Sequence, residues 1–512
     1  MGGASLAGLL DGPARWSARR PAILVGDAPW RTWEGLADAV ARRAAALRDR
    51  HGIAPGDAVA LFAANHPAYL EVLFAIWHAG GVAVPISGRL HAREAADIVD
   101  RGHARVCFVT ADVAHDLLRH VGEVAVIVLG EGDDDALLRA EPMAPVPRAA
   151  TDDAWIFFTS GTTGRPKGAR LTHHNLFAMA AAYLADAAQV DARDAIIHVA
   201  ALSHASGLFS LPFVARGAAQ VLPPSGSFDA AELFDLVAAG ERSSFFVPPT
   251  LLRRLSADPG AARVRSERLG TIVVGAAPVL ATDLRDAVGA FGPCLWNGYG
   301  QGESPCTITA HGKAAIAAAV QAADDDALRS VGVARMGMRV RVVDHDDREL
   351  GPGELGEVVV DGPTVMAGYL DLPAATAETL RGGWLHTGDI GAFDDHARLT
   401  LVDRAKEVII TGGYNVYPRE VEDVLQLDPA VAEAAVIGLP DDQWGERVVA
   451  FVVPVRGAAV DEDALDRRCL AAIARHKRPK EYRVVPELPR NAAGKVLKRQ
   501  LRETAEVADA AR

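Results

Sequence analysis

The chain has 512 residues, about three times a typical single-domain length, which predicts at least two domains and a core able to enclose a site. Half of it is apolar and 23% charged, which excludes long disorder. With 53 basic against 66 acidic residues the net charge is −13, so a basic nucleic-acid footprint is absent while a local anion pocket stays open.

The N-terminus MGGASLAGLL has no basic n-region and no sustained apolar h-region, and Leu6 stands where an acylation start needs Ser or Thr. Cys107, Cys294, Cys306 and Cys469 are scattered, with no C-x-x-C pair, which argues against a disulfide scaffold or structural zinc and for a reducing, cytoplasmic setting. Strands are predicted at Ala58 to Phe62, Val82 to Val84, Val106 to Val109 and Val124 to Val128. Tyr69 to Ile86 is interrupted by Glu71, His78 and Gly80-Gly81, so it reads as a buried helix running into a strand rather than a membrane span.

From Trp155 the chain alternates strand and helix. The predicted strands are Trp155 to Phe158, Ala195 to Val199, Gln220 to Leu222, Ser244 to Val247, Thr271 to Val274 and Cys294 to Asn297. The predicted helices are His173 to Ala187, Asp229 to Ala239 and Leu280 to Val288. Such alternation predicts an α/β fold with largely parallel sheets. After Arg329, Val340 to Val343 and Leu355 to Val360 alternate with turn residues and predict a hairpin-rich β segment. Beyond Arg404 the elements are short and mixed. Strands are predicted at Glu407 to Ile410, Ala434 to Ile437 and Val448 to Val453, and helices at Arg419 to Gln426 and Asp463 to Ala474. They suggest a compact α+β domain, so the expected division is 1–403 and 404–512, with a frayed tail from Glu506.

The strongest local signal is Trp155-Ile-Phe-Phe-Thr159-Ser160-Gly161-Thr162-Thr163-Gly164-Arg-Pro-Lys167-Gly168. An apolar strand delivers the chain into six hydroxyl-bearing or glycine residues and then one ammonium, the parts of a polyphosphate cradle. It is not a Walker A loop, because Pro166 occupies the place of the second glycine and no Ser or Thr follows Lys167. A Gly/Thr-rich loop taken alone is more often a surface turn, but fourteen residues in this order make chance improbable. Only seven of the 53 basic residues are lysines. Lys167, Lys406 and Lys495 all fall inside such motifs, where a compact ammonium differs from a guanidinium.

This loop resembles the phosphate loop of the adenylate-forming superfamily of acyl-CoA synthetases, peptide-synthetase adenylation domains and luciferases. Four further segments match in order: Asn297-Gly298-Tyr299-Gly300-Gln301-Gly302-Glu303, Gly383 to Asp389, Asp403-Arg404-Ala-Lys406 running into Gly412-Gly413-Tyr414 and on to Pro418, and Pro489 to Lys495. The resemblance covers nearly the whole chain. It implies a large N-terminal domain of layered α/β sheets with a β subdomain, followed by a small mobile α+β domain.

The same resemblance assigns roles. Thr159 to Gly164 and Lys167 would cradle phosphate, and Tyr299 would stack on adenine, with a buried core tyrosine as the plain alternative. Glu303 would hold Mg²⁺, and Asp389 would accept from the ribose hydroxyls. Arg404 would reach the ribose or phosphate edge unless it serves as an interdomain salt bridge. Gly275-Ala276-Ala277 would lie between adenine and acyl group. Lys495 would bridge carboxylate and α-phosphate during adenylation, Lys406 would be the hinge, and Gly412 to Tyr414 would face the thiol. His204 resembles a residue lining the carboxylate pocket and is as readily a structural histidine. The family usually carries Thr where Gly302 stands, so that phosphate contact is absent or comes from water or Ser304.

The function implied is an ATP-dependent carboxylic acid–CoA ligase working through an acyl-adenylate, with ATP, Mg²⁺ and coenzyme A. The pocket candidates are mostly small or apolar, which favours an acyl or aryl acid over a dicarboxylate. Three alternatives stand beside it: loading of a carrier protein, activation of a non-carboxylate acid, and a silent nucleotide-binding module. No nucleic-acid partner and no membrane span are expected, and a homodimer is left open.

Overall fold

A computed structural model describes residues 5–159, 166–404, 407–412, 414–441, 443–490 and 496–510. The chain falls into two compact units. One comprises Met1–Val340 and Val360–Leu385, the other Arg341–Val359 and His386–Arg512.

The first unit is built on two sheets. In one, Asp153–Thr159, Val82–Ser87, Ala58–Ala63, Ala104–Val109 and Ala125–Val128 run parallel in that spatial order. Lys167–Thr172 and the short Gly368–Tyr369 add antiparallel to its edge. Ala58–Ala63 and Val82–Ser87 are buried along their whole length, which is why they read as continuous apolar runs rather than alternating ones. The helix Ala68–His78 between them is buried on nearly every side, as expected for the Tyr69 to Ile86 stretch.

The second sheet of this unit runs from Val333–Ala334 through Ser304–His311, Leu295–Gln301, Leu269–Val274, Arg242–Val247, Asp194–Ile197 and Ala219–Leu222 to the hairpin Pro21–Val25 and Ala28–Thr32. Its central strands are parallel, and Leu295–Gln301 turns back tightly into Ser304–His311. The turn leaves Gly302 and Glu303 between the paired residues Gln301 and Ser304. The expected alternation of strand and helix is therefore present. The hairpin Pro21 to Thr32 and the strand Ser304–His311 were not foreseen.

Most of a β sheet ordered Arg339–Val343, Gly356–Asp361, Leu385–Phe393, Leu399–Arg404 falls in the second unit, where a β-rich stretch was predicted. The same unit also holds a sheet of Tyr414–Val416, Ile409–Thr411, Gly445–Pro454 and Val431–Asp441, with Glu481–Val484 parallel to Gly445–Pro454. The helices Pro418–Gln426 and Glu462–Ala472 lie close to their predicted places. The tail expected to fray from Glu506 continues, as far as residue 510, a helix that begins upstream, Lys498–Ala510. Leu501 and Ala505, one turn apart, bury against Ile437, Leu439 and Phe451, and that packing gives a tail of ordinary polarity its reason to fold. Among the described residues no helix is long and apolar enough to cross a membrane.

Candidate active site

In the first unit the strand Asp153–Thr159 ends at the predicted phosphate loop, and the chain re-emerges as Lys167–Thr172, with Thr159 opposite Lys167. Ser160, Gly161, Thr162, Thr163 and Gly164 lie outside the described residues. The Thr159 hydroxyl sits 3.5 Å from the Lys167 carbonyl and 3.4 Å from Glu303 Oε1. Glu303 is 7% exposed, and its Oε1 also accepts from the Tyr369 hydroxyl at 2.7 Å. The face of that same tyrosine lies 4.9 Å from the Lys167 ammonium. Two predicted groups 136 positions apart thus meet across one ring that the motifs did not single out.

Gly302 explains its own departure from the family pattern. A Cβ there would lie 2.3 Å from Thr159 Cγ2 and 2.9 Å from Phe157 Cδ1, so the strand leading into the loop already fills the space. Ser304, named as a substitute hydroxyl, is fully buried and pairs with Thr364 Oγ1 at 2.9 Å. It is committed elsewhere.

The strand Leu295–Gln301 carries Asn297, Gly298, Tyr299, Gly300 and Gln301. Gly300 has the backbone of Ser304 and Cys306 within 2.8 Å of any added Cβ, so a side chain there would break the hairpin. Asn297 is buried beside Val274 of the neighbouring strand. Tyr299 is 8% exposed. That burial accords with the core-tyrosine alternative to stacking.

Gly275 follows Leu269–Val274, and a Cβ on it would meet the Gly298 carbonyl at 2.9 Å. The loop can therefore hug this strand only as glycine. Ala276 then takes a left-handed φ of 68°, a conformation costing an L-residue about 1 kcal/mol or more. Ala276 and Ala277 are both exposed.

His204 precedes the helix Ala205–Ala215, stands edge-to-face with Phe157 at 5.5 Å and pairs through Nδ1 with Ser203 Oγ at 2.8 Å. Burial pushes its pKa down to about 4, so at neutral pH it is an uncharged imidazole. The helix N-terminus beside it also disfavours the cation. Asn65, absent from the sequence reading, sets the loop that leads there. Its amide donates to the carbonyls of His198 and Ala200, and its Oδ1 accepts from Leu202 N, each at 2.9 Å.

In the second unit Asp389 and Arg404 face each other on paired strands. Arg404 Nε lies 2.9 Å from Asp389 Oδ1. Arg404 thus forms a salt bridge inside this unit, to the other ribose candidate on an adjacent strand, where the alternative expected was an interdomain one. Glu357 anchors the approach to Asp389. It pairs with His386 Nδ1 at 2.9 Å and accepts from Gly388 N at 3.0 Å. Gly412 has a φ of 57°, and its amide donates to the Trp444 carbonyl at 2.7 Å. Tyr414 is exposed and stacks on His476 at 4.6 Å. Lys406, Gly413 and Lys495 lie outside the described residues. Lys498 is buried in an ion pair with Glu422 at 2.7 Å. Burial works against its ammonium, but Glu422 and Asp403 keep its pKa above the ordinary value.

The donors fit the ions and ligands implied. A buried carboxylate with hydroxyls beside it is a hard-oxygen set of the kind Mg²⁺ takes. Residues 12–370 match the AMP-binding enzyme family and residues 420–495 its C-terminal domain. A feruloyl-CoA synthase from Amycolatopsis sp is 36% identical, with 92% of this chain and 93% of the relative covered. A fatty acid–[acyl-carrier-protein] ligase, ScoC, from Streptomyces coeruleorubidus is 32% identical, with 88% and 87% covered. The ATP-bound crystal structure of MatB from Rhodopseudomonas palustris superposes with a TM-score of 0.87 at 30% identity, covering 98% of this chain and 99% of that one. The chain belongs to the AMP-binding enzyme family, within the adenylate-forming superfamily, and is an AMP-forming acid–thiol ligase of the acyl-CoA synthetase kind.

Proposed function

We propose that the chain joins an acyl or aryl carboxylic acid to coenzyme A in two half-reactions. In the first, a carboxylate oxygen attacks the α-phosphorus of ATP, an O–P bond forms, and the bond to pyrophosphate breaks. In the second, the coenzyme A sulfur attacks the acyl carbon, a C–S bond forms, and AMP leaves with the C–O electron pair. The observation that carries this reading is the meeting of Thr159, Lys167 and Glu303 at one end of the sheet.

Lys167 and the residues up to Gly164 would bind phosphate, Tyr299 and Gly275 to Ala277 would flank the base, and Asp389, held by Arg404, would accept from the ribose. His204, neutral at physiological pH, would border the carboxylate without competing for it as an ion. Glu303 would hold Mg²⁺, whose bound charge offsets that of the triphosphate. Lys495 would supply positive charge to the pentacoordinate transition state. The small domain, divided from 1–403 near Lys406, would then withdraw Lys495 and present Gly412 to Tyr414 to the thiol. Opposite groups are needed at one place in two steps, which is a physical reason for a mobile lid.

Feruloyl-CoA synthase and an indoleacetate–CoA ligase, 35% identical, favour an aryl-bearing acid. ScoC favours a second reading in which the acceptor thiol belongs to a carrier protein. A cytoplasmic site of action accords with the four free thiols.

Pyrophosphate release across an acid panel, with and without coenzyme A, tests the proposal. Thioester is the expected product. Acyl-adenylate without thioester would favour the carrier, and no turnover with any acid would favour a silent module. Lys495→Ala should slow adenylation by about 10²–10³ while sparing thioester formation from pre-made acyl-adenylate. Lys406→Pro should stall the second half-reaction more than the first.

A further inference from the structure

We propose that Tyr369 is a positioning residue that holds Glu303 and Lys167 apart and keeps both available to the triphosphate and its cation. The proposal rests on the functional reading above and adds to it a residue and its task.

Tyr369 sits on the two-residue strand Gly368–Tyr369, paired with Arg170 and Ala169 just beyond Lys167. The neighbouring Met366 N donates to the Glu303 carbonyl at 2.8 Å, while Leu370 N donates to the Gly168 carbonyl at 2.8 Å. One short segment is thus bonded to the strand that follows the phosphate loop and to the turn that bears the carboxylate. Its side chain repeats the link. The hydroxyl donates to Glu303 Oε1 at 2.7 Å, and the ring offers its negative face to the Lys167 ammonium at 4.9 Å.

An ammonium and a carboxylate that both touch one ring have each other as the alternative partner. Among the described residues no ion pair joins Lys167 to Glu303. A pair would cancel the charges needed for phosphate and for a divalent cation, and opening it would cost part of the binding energy. An aromatic face satisfies a cation without neutralising it, and a phenol donor fixes one carboxylate oxygen while leaving the other to a metal. Tyrosine is the side chain that does both at once. The two roles can be separated experimentally, because Tyr369→Phe keeps the face and loses the donor, whereas Tyr369→Leu loses both.

The test is equilibrium ATP binding by calorimetry, with Mg²⁺ titrated from none to saturating, and a melting curve for each variant. Tyr369→Phe should leave metal-free ATP binding unchanged. It should raise the Mg²⁺ concentration needed for half-maximal enhancement by about tenfold, the scale of one hydrogen bond to a charged group. In a Glu303→Gln background the same change should have no effect, a coupling that a merely structural tyrosine would not produce. Tyr369→Leu should also weaken metal-free ATP binding, as Lys167 and Glu303 collapse into a pair. Wild-type protein whose ATP binding ignores Mg²⁺ would overturn the metal role of Glu303 and this proposal together. Wild-type dependence that Tyr369→Phe does not move, or an equal effect in the Glu303→Gln background, would overturn the Tyr369 assignment alone.

Discussion

Restoring the family's threonine at Gly302 should weaken the protein. Gly302 has no left-handed φ, so its backbone accepts a side chain and the cost is steric. A Cβ would stand 2.3 Å from Thr159 Cγ2, against the roughly 3.5–4 Å at which carbon atoms rest. More than an ångström must be found. Thr159 is β-branched and stiff at χ1. Turning its methyl away carries its hydroxyl off Glu303 and the Lys167 carbonyl. Overpacking of this kind costs about 1–3 kcal/mol, and losing the long 3.4 Å contact with Glu303 adds little to it. Gly302→Ala should bear most of the steric part, and Gly302→Thr should lower the melting temperature by several degrees without improving ATP affinity. Thr159→Ser removes the closer methyl and keeps the hydroxyl, so Gly302→Ala should cost clearly less in that background, the 2.9 Å approach to Phe157 Cδ1 being what is left. Denaturation of the four proteins in the cycle decides the matter. A Gly302→Ala cost that is absent in wild type, or undiminished when combined with Thr159→Ser, would refute the steric account.

Three further outcomes follow from buried charge. His173, His198 and His204 are each held down to about 4 by burial, against an ordinary 6.5. Between these values the unfolded chain binds protons that the folded one does not. Stability should therefore be full above about pH 6.5 and fall as pH drops toward 4, by up to about 3 kcal/mol per histidine. A denaturation midpoint that is flat from pH 7 to 5 would contradict this, and His198→Gln should remove one proton from the slope. The fully buried Glu71 and Asp134 both pair with Arg43, which grips Asp134 with two bonds of 2.9 and 2.7 Å. Arg43→Met should cost about 3 kcal/mol in urea unfolding by removing the one cation that Glu71 and Asp134 share, leaving Glu71 with Arg31 alone and Asp134 with the Gly130 amide, and a loss under 1 kcal/mol would speak against it. Arg404→Ala should change stability by less than about 1 kcal/mol, since that bridge is half-exposed. It should raise the KM for ATP and narrow the preference over 2′-deoxy-ATP, and an unchanged preference would separate Arg404 from the ribose.

The motifs were legible because their chemistry is contiguous: a strand, a loop and a lysine within fourteen residues need no third dimension to be read. The parallel strands were legible too, since burial on both faces leaves unbroken apolar runs such as Ala58–Ala63. What escaped was carried by separation in sequence. Tyr369 lies 66 positions from Glu303 and stands in Ala-Gly-Tyr-Leu, a string with no chemistry of its own, and Asn65 holds a loop 133 to 137 positions away. The tail helix escaped because, among the described residues, the face it buries is Leu501 and Ala505, too little to register until the sheet beneath is known.

Gly302 shows the same limit from the other side. Read along the chain, it is a missing hydroxyl, and the nearest candidate to replace it was the adjacent Ser304. Read in space, the vacancy is filled by Thr159, 143 positions earlier, whose methyl excludes a side chain at 302 and whose hydroxyl approaches the same carboxylate that the family's threonine precedes. Glu303 therefore keeps two hydroxyl neighbours, Thr159 and Tyr369, drawn from the two strands that flank Lys167–Thr172 in the sheet. The missing side chain at 302 therefore takes nothing from the carboxylate itself, which Thr159 and Tyr369 brace beside the phosphate loop without it.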